Sequence, residues 1–202
     1  MNYFVTAIDT DSGKTLVSAI LCEALQADYW KPIQAGLPRD TDTVKSLITN
    51  SKTKLFPETY LLKTPASPHA SAKLDDVLIS LKDINPPVTL NNLIIEGAGG
   101  CLVPVNDSDF VIDMAGRFGG EIILVSDLYL GSINHTLLSV EALKKRNLKV
   151  KGIIFNGARN PESERIILKH SGYRCLLHID REKEINPEVV SKYARLILDN
   201  WT

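Results

Sequence analysis

The chain alternates between short runs that are apolar throughout and longer stretches whose apolar residues recur at helical spacing. Tyr3-Phe4-Val5-Thr6-Ala7-Ile8 is the first run, and Leu16, Ala19, Ile20, Cys22, Ala24 and Leu25 then mark one face of a helix that begins near Lys14 and closes near Ala27. A short strand over 29–33 and a helix over 40–48 follow, then a loop rich in Pro and Ser over 57–68 and a helix over 72–81. Beyond the break at Pro86-Pro87 the pattern predicts strands at 92–96, 121–126, 150–156 and 173–179. Helices are predicted between and after them at 110–118, 133–146, 162–170 and 187–200.

Strands without polar alternation, separated by helices, belong to a mainly parallel sheet covered on both faces. Right-handed crossovers make such a sheet doubly wound, with ligands at the carboxyl ends of its strands. The expectation is therefore an α/β chain, and 202 residues without a composition break suit one domain. A formal charge of −1 leaves no electrostatic footprint for nucleic acid or an anionic membrane, which points to small-molecule chemistry. Cys22, Cys101 and Cys175 are widely spaced and odd in number, so neither a disulfide framework nor a zinc site is suggested. The apolar start lacks a basic leader and is too short to span a bilayer, and the expected location is the cytoplasm.

Residues just after a strand point into the binding crevice, which selects the chemistry. The first strand runs into Asp9-Thr10-Asp11-Ser12-Gly13-Lys14-Thr15 and then directly into a helix. In a phosphate loop of this kind, backbone N–H groups wrap a polyphosphate, the lysine reaches the terminal phosphates, and the following hydroxyl holds magnesium. The helix start adds unpaired N–H groups and its positive dipole end. The usual G-x-x-x-x-G-K-[ST] pattern asks for glycine where Ile8 stands, so the match is partial. Glu96 ends a second apolar run and is followed by Gly97-Ala98-Gly99-Gly100, which places a carboxylate beside backbone that can approach a ligand closely. With Thr15 it suits Mg²⁺, which takes one or two carboxylates plus phosphate oxygens and water. Lys31 precedes Pro32 in extended backbone and reads either as a cation facing an anionic ligand or as a solvated lysine. Asp40 and Asp42 read as helix caps. His69 and His135 lie near candidate pockets, whereas His170 and His178 read as structural or surface residues, and no spacing joins the four into a metal site.

Taken together these segments resemble the dethiobiotin synthetases. The start over 3–15 is similar to that family's Y-F-V-T-G-T-D-T-x-x-G-K-T, a phosphate loop whose first glycine comes one residue early; here that position is Ala7. Trp30-Lys31-Pro32-Ile33-Gln34-Ala35-Gly36 resembles Y-K-P-V-x-[ST]-G, Thr41-Asp42 an S-D acidic segment, and Ile95-Glu96-Gly97-Ala98-Gly99-Gly100 resembles V-E-G-A-G-G. Leu130-Gly131-Ser132-Ile133-Asn134-His135 resembles L-G-x-I-N-H, and Ser67-Pro68-His69 agrees as well. The first signature is shared by many ATPases; all five in this order extend over nearly the whole chain.

The resemblance implies a P-loop NTPase-like domain that converts 7,8-diaminononanoate, CO₂ and ATP to dethiobiotin as a homodimer. Thr15, Asp42 and Glu96 would hold Mg²⁺, and Lys14 and Lys31 would be the catalytic lysines. The segment Asp11, Ser12, Gly13, Lys14, Thr15 and Leu16 would cradle the triphosphate, bordered by Gly97, Ala98 and Gly99. Asn156 and Gly157, with His178, Ile179 and Asp180, would hold the base. Thr10, Lys31 and Ala35 would line the diamine site, and Ser132, Ile133 and Asn134, at a helix start, would meet the substrate carboxylate, in one reading from the neighbouring subunit. Two departures carry consequences: Ala7 requires φ < 0 where the family has glycine, and Ala35 lacks a hydroxyl that the family supplies.

Other readings share parts of this pattern. An amidoligase of the same fold usually carries a glutaminase domain that this chain has no room for, and a partitioning ATPase carries a second lysine early in its loop, where none precedes Lys14. A GTPase switch wants N-K-x-D, which Asn156-Gly157-Ala158-Arg159 does not supply, and the arginine-rich lid of a nucleotide kinase is not evident.

Overall fold

The computed structural model describes residues 1–201. In chain order the elements are β1 (Asn2–Ala7), α1 (Lys14–Leu25), β2 (Asp28–Trp30), β3 (Ile33–Ala35), α2 (Asp40–Leu47), β4 (Leu55–Phe56), β5 (Tyr60–Leu62) and α3 (Pro68–Leu74). A 3₁₀ turn (Leu81–Asp83) precedes β6 (Leu93–Gly100), α4 (Val111–Phe118), β7 (Glu121–Asp127), α5 (Ser132–Lys145), β8 (Val150–Asn156), α6 (Pro161–Ser171), β9 (Cys175–Ile179) and α7 (Pro187–Leu198). Seven strands form one sheet in the order β4-β2-β6-β1-β7-β8-β9, and every neighbouring pair is parallel. The doubly wound α/β expectation holds.

Each central strand sends alternate residues into two cores. Tyr3, Val5, Ile94, Ile123 and Ile154 pack against α1, α2 and α7 through Val17, Ile20, Val44 and Tyr193. Phe4, Ile95, Leu124 and Phe155 face the other layer, where Ala72, Ile112, Val140 and Ile167 come from α3 to α6. Burial on both faces is why these strands carry no polar alternation.

Two expectations need correction. The strand over 29–33 divides at Lys31-Pro32 into β2, which joins the large sheet, and β3, which pairs with β5 in a small one. The loop over 57–68 thus contains a strand, anchored by buried Leu62. The helix expected over 72–81 runs instead from Pro68 to Leu74: proline at its first position favours the start. It ends at Asp75, whose carboxylate accepts from Lys63 N and Thr64 Oγ1, before the left-handed Asp76.

The loop after β1 reaches α1 through Gly13, whose φ of 98° lies in the left-handed region; a Cβ there would collide with the Asn156 amide. Ala7 is an ordinary buried strand residue and is not among the positive-φ positions, so its departure from glycine introduces no strain.

Ile20 is fully buried where α1 meets α7 and the sheet. Ile20→Ala should lower the unfolding free energy by about 2–5 kcal/mol, measured by urea denaturation, with a shift in midpoint at unchanged slope.

Candidate active site

β1, β2 and β6 are neighbours in the sheet, so their carboxyl ends converge on one edge. There they enclose a cleft of about 530 Å³ lined by the phosphate loop, the Lys31–Asp40 segment, the loop over 65–68 and the end of β6. Of the anticipated residues, Thr10, Asp11, Lys14, Thr15, Lys31, Ala35, Glu96, Ala98 and Gly99 all line it.

Its floor is a buried charge cluster. Lys31 Nζ lies 3.0 Å from Glu96 Oε1 and 2.6 Å from Asp40 Oδ2, and donates to Gly97 O at 2.9 Å. The lysine is only 4% exposed and Glu96 1%. Burial alone would drive the Lys31 proton off, but the Glu96 and Asp40 charges overcome it and raise the pKa above the usual lysine value. Burial likewise opposes ionisation of Asp40, and the Lys31 charge with its hydrogen bond outweighs that, holding the carboxyl below its ordinary value. Glu96 accepts from Thr15 Oγ1 at 2.9 Å on Oε1 and from Tyr29 OH at 3.0 Å on Oε2. The solvated reading of Lys31 is excluded.

Lys14 folds back over the loop, donating to Asp9 O at 3.1 Å and Thr10 O at 2.9 Å. Burial, followed by repulsion from Lys31, lowers its pKa to about 8. Ser12 accepts from Asp9 N at 3.1 Å, and Asn156 Nδ2 donates to Ser12 O at 2.9 Å, tying the end of β8 to the loop. His178 Nε2 donates to Gly157 O at 3.0 Å, and Gly157 N donates to Ile179 O at 2.9 Å. Asp180 lies 3.4 Å from Arg159 Nε. Asn156, Gly157, His178, Ile179 and Asp180 thus form a patch of their own beside the loop and outside the cleft. Ser12, Gly13, Leu16 and Gly97 also lie outside its lining.

Asp42 does not join the cluster. Its exposed carboxylate takes Arg39 Nε at 2.8 Å and Nη2 at 2.7 Å, while Asp40 turns inward to Lys31. Residues two apart on a helix do not share a face, so only one of the two acids can reach the lysine. Gln34 sets that choice: its Oε1 accepts from Asp40 N at 3.0 Å and its Nε2 donates to Gly36 O at 3.1 Å. Those bonds use Oε1 and one of the two Nε2 hydrogens, and Gln34 itself lines the cleft beside Ala35, where the second hydrogen is the nearest substitute for the missing hydroxyl.

Ser132, Ile133 and Asn134 are not brought to the cleft of their own chain either. They follow β7, which lies on the far side of β1 from β6 and β2. Ser132 is buried, whereas Ile133 and Asn134 are exposed beside Leu130. Ser67 and Pro68 do line the cleft; His69 instead faces Ser67 Oγ at 3.1 Å. Among the described residues no cluster of three or more His, Cys, Asp or Glu side chains has metal-binding geometry, and no helix is long and apolar enough to cross a membrane.

Curated relatives match over nearly the full chain. The ATP-dependent dethiobiotin synthetase BioD of Cytophaga hutchinsonii is 60% identical, with 98% of each chain covered. The corresponding protein of Christiangramia forsetii is 46% identical over 96% of this chain and 94% of its own. The chain belongs to the dethiobiotin synthetase family. A family model described as an AAA domain matches residues 1–189. Among solved structures, a ParA family ATPase from Chlorobium tepidum aligns with a TM-score of 0.58 at 12% identity, covering 96% of this chain and 98% of that one. The septum site-determining protein MinD of Pyrococcus horikoshii, complexed with Mg-ADP, aligns at 0.54 and 15% identity over 98% and 96%. At those identities the likeness is one of P-loop fold; the family assignment rests on the synthetases.

Two site residues of this dethiobiotin synthetase chain escaped the sequence reading. Asp40 read as a cap, and the motif match favoured the acid two residues later. Tyr29 has no role in that reading beyond the strand over 29–33, although it stands two residues before Lys31 in extended backbone, a spacing that offers a second polar group on the same side.

Lys14 loses its proton above about pH 8 in the free chain, and the charged form is the one that attracts phosphate. ATP affinity measured by calorimetry should therefore hold below pH 8 and fall above it, by up to about tenfold per pH unit, with proton uptake on binding.

Proposed function

We propose that the chain performs the family reaction: ATP-dependent carboxylation and ring closure of 7,8-diaminononanoate to dethiobiotin, ADP and phosphate. The observation that carries this is the buried Lys31, fixed between Glu96 and Asp40 and facing the same cleft as Lys14 and Thr10. One substrate amine takes up CO₂ as a carbamate with loss of a proton. A carbamate oxygen then displaces ADP from the γ-phosphate, and the second amine attacks the resulting anhydride carbonyl, releasing phosphate and closing the cyclic urea. Phosphoryl transfer of this kind needs positioning and charge neutralisation rather than a protein nucleophile. Lys31 would orient the carbamate and balance its charge, and Lys14 would swing from the loop carbonyls to the transferring phosphate.

The donors suit magnesium: Thr15 Oγ1 and the Glu96 and Asp40 carboxylates are all oxygen, as a hard dication requires, and they lie beside the phosphate loop. Asp40 replaces Asp42 in that set. Bound there, Mg²⁺ would neutralise charge developing on the β- and γ-phosphates.

Asn156 and Gly157, with His178, Ile179 and Asp180, would border the base, and Gly13 and Ser12 the phosphates. Exposed Leu130, Ile133 and Leu138 on and before α5 support a homodimer in which Ser132, Ile133 and Asn134 present the helix start to the substrate carboxylate in the neighbouring cleft. We place the enzyme in the cytoplasm, in keeping with its free cysteines. A partitioning-switch reading is less well supported, because the synthetases are the close relatives and no lysine precedes Lys14 in the loop.

Phosphate release from Mg·ATP should depend on both 7,8-diaminononanoate and bicarbonate, with a product carrying one added carbonyl by mass spectrometry; release indifferent to the diamine sinks the assignment. Lys31→Ala should lower kcat by roughly 100-fold or more. Asp40→Asn should cost at least about tenfold in kcat or in Mg²⁺ requirement, whereas Asp42→Asn should stay within about twofold of the parent, a contrast that steady-state kinetics decides directly.

A further inference from the structure

The two oxygens of Glu96 are treated differently. Oε1 faces the cleft side, where Thr15 Oγ1 and Lys31 Nζ meet it at 2.9 and 3.0 Å. Oε2 is met by Tyr29 OH at 3.0 Å. Tyr29 is fully buried in the core beneath α1 and α2, clustered with Cys22, Val44, Leu47 and Ile94. Its backbone stands in register with Ile94, two residues before Glu96 on the same face of β6, so the ring runs along the strand pair and delivers its hydroxyl under the carboxylate.

The terminal torsion of a glutamate is soft, with a broad and roughly two-fold preference, so burial of Glu96 does not by itself decide where its carboxylate plane points. A donor on one oxygen does decide it. We propose that Tyr29 is a positioning residue: its phenol holds Oε2 in the core and thereby presents Oε1 alone to the cleft, in one fixed orientation, as the oxygen offered to the metal. This deepens the reading of Glu96 as a magnesium donor and rests on it. Partners that orient a ligand from behind commonly alter metal affinity by 10- to 100-fold when removed.

Tyr29→Phe in the full chain deletes only the hydroxyl and keeps the ring that fills the core. The test is Mn²⁺ binding in the presence of ADP, followed by the loss of the free Mn²⁺ electron paramagnetic resonance signal, with ADP affinity in chelator and the melting temperature of the metal-free chain as companions. Mn²⁺ affinity should fall about tenfold, and the Mg²⁺ concentration giving half-maximal rate should rise by a similar factor. ADP affinity in chelator should stay put, the melting temperature should drop by no more than about 5 °C, and KM for the diamine at saturating Mg²⁺ should not move. Mn²⁺ affinity within twofold of the parent overturns the proposal. So does a joint fall of melting temperature and metal-independent ADP affinity, which marks a merely structural tyrosine. Glu96→Gln separates the two levels. If it weakens Mn²⁺ binding and Tyr29→Phe does not, only the positioning fails; if it leaves Mn²⁺ binding intact, the metal reading of Glu96 fails and the proposal falls with it.

Discussion

The arrangement of this protein depends on one buried ion cluster, Lys31 between Glu96 and Asp40. Taking a lysine and a glutamate almost wholly out of water costs several kcal/mol per ion, and mutual attraction offsets that only when the remaining hydrogen-bonding capacity is satisfied. Here it is: the ammonium has Gly97 O as a third acceptor, and the carboxylate has Thr15 and Tyr29 as further donors. The cluster joins the residue just after β2, the start of α2, the start of α1 and the middle of β6. A hydrophobic replacement of similar volume would serve the fold as well or better. Retaining charge at this depth makes sense as preparation for an anionic ligand, whose phosphates or carbamate would meet positive charge already oriented and already desolvated.

Sheet order divides the functional segments between two sides of β1. Lys31, Asp40 and Glu96 come from the β2 and β6 side, and the start of α5 from the β7 side, with the phosphate loop between them. A single chain gathers the phosphate loop, Lys31 and its carboxylates at one cleft, yet keeps the Ser132 segment away from it. That separation is what gives the exposed apolar residues around α5 a purpose in the proposed dimer: a second copy would bring its own α5 to the first copy's cleft. The solved structures of similar fold include a ParA family ATPase and a septum site-determining protein, so the sheet alone does not fix function, which is argued from Lys31 and its carboxylates.

Much of this was readable along the chain because the strands are buried on both faces and end abruptly in Gly, Lys or acidic residues. The phosphate loop and Glu96 were legible for that reason. The helix expected over 72–81 was not, since Pro68 starts it early and Asp75 bonds back to the 63–64 backbone and side chain, a tertiary contact. Nor was the break at Lys31-Pro32 that sends β3 to another sheet.

The sequence by itself determined the long strands and helices, the parallel character of the sheet, the phosphate loop and the family, because these depend on periodicity and on residues adjacent in the chain. Tertiary structure alone decided that Asp40 rather than Asp42 meets Lys31, that Tyr29 stands behind Glu96, and that Ser132, Ile133 and Asn134 lie off their own cleft. Each of those depends on direction rather than order: a shift of two residues turns a helical side chain to the opposite face, and the reach of a core tyrosine is set by the register of strands far apart in sequence.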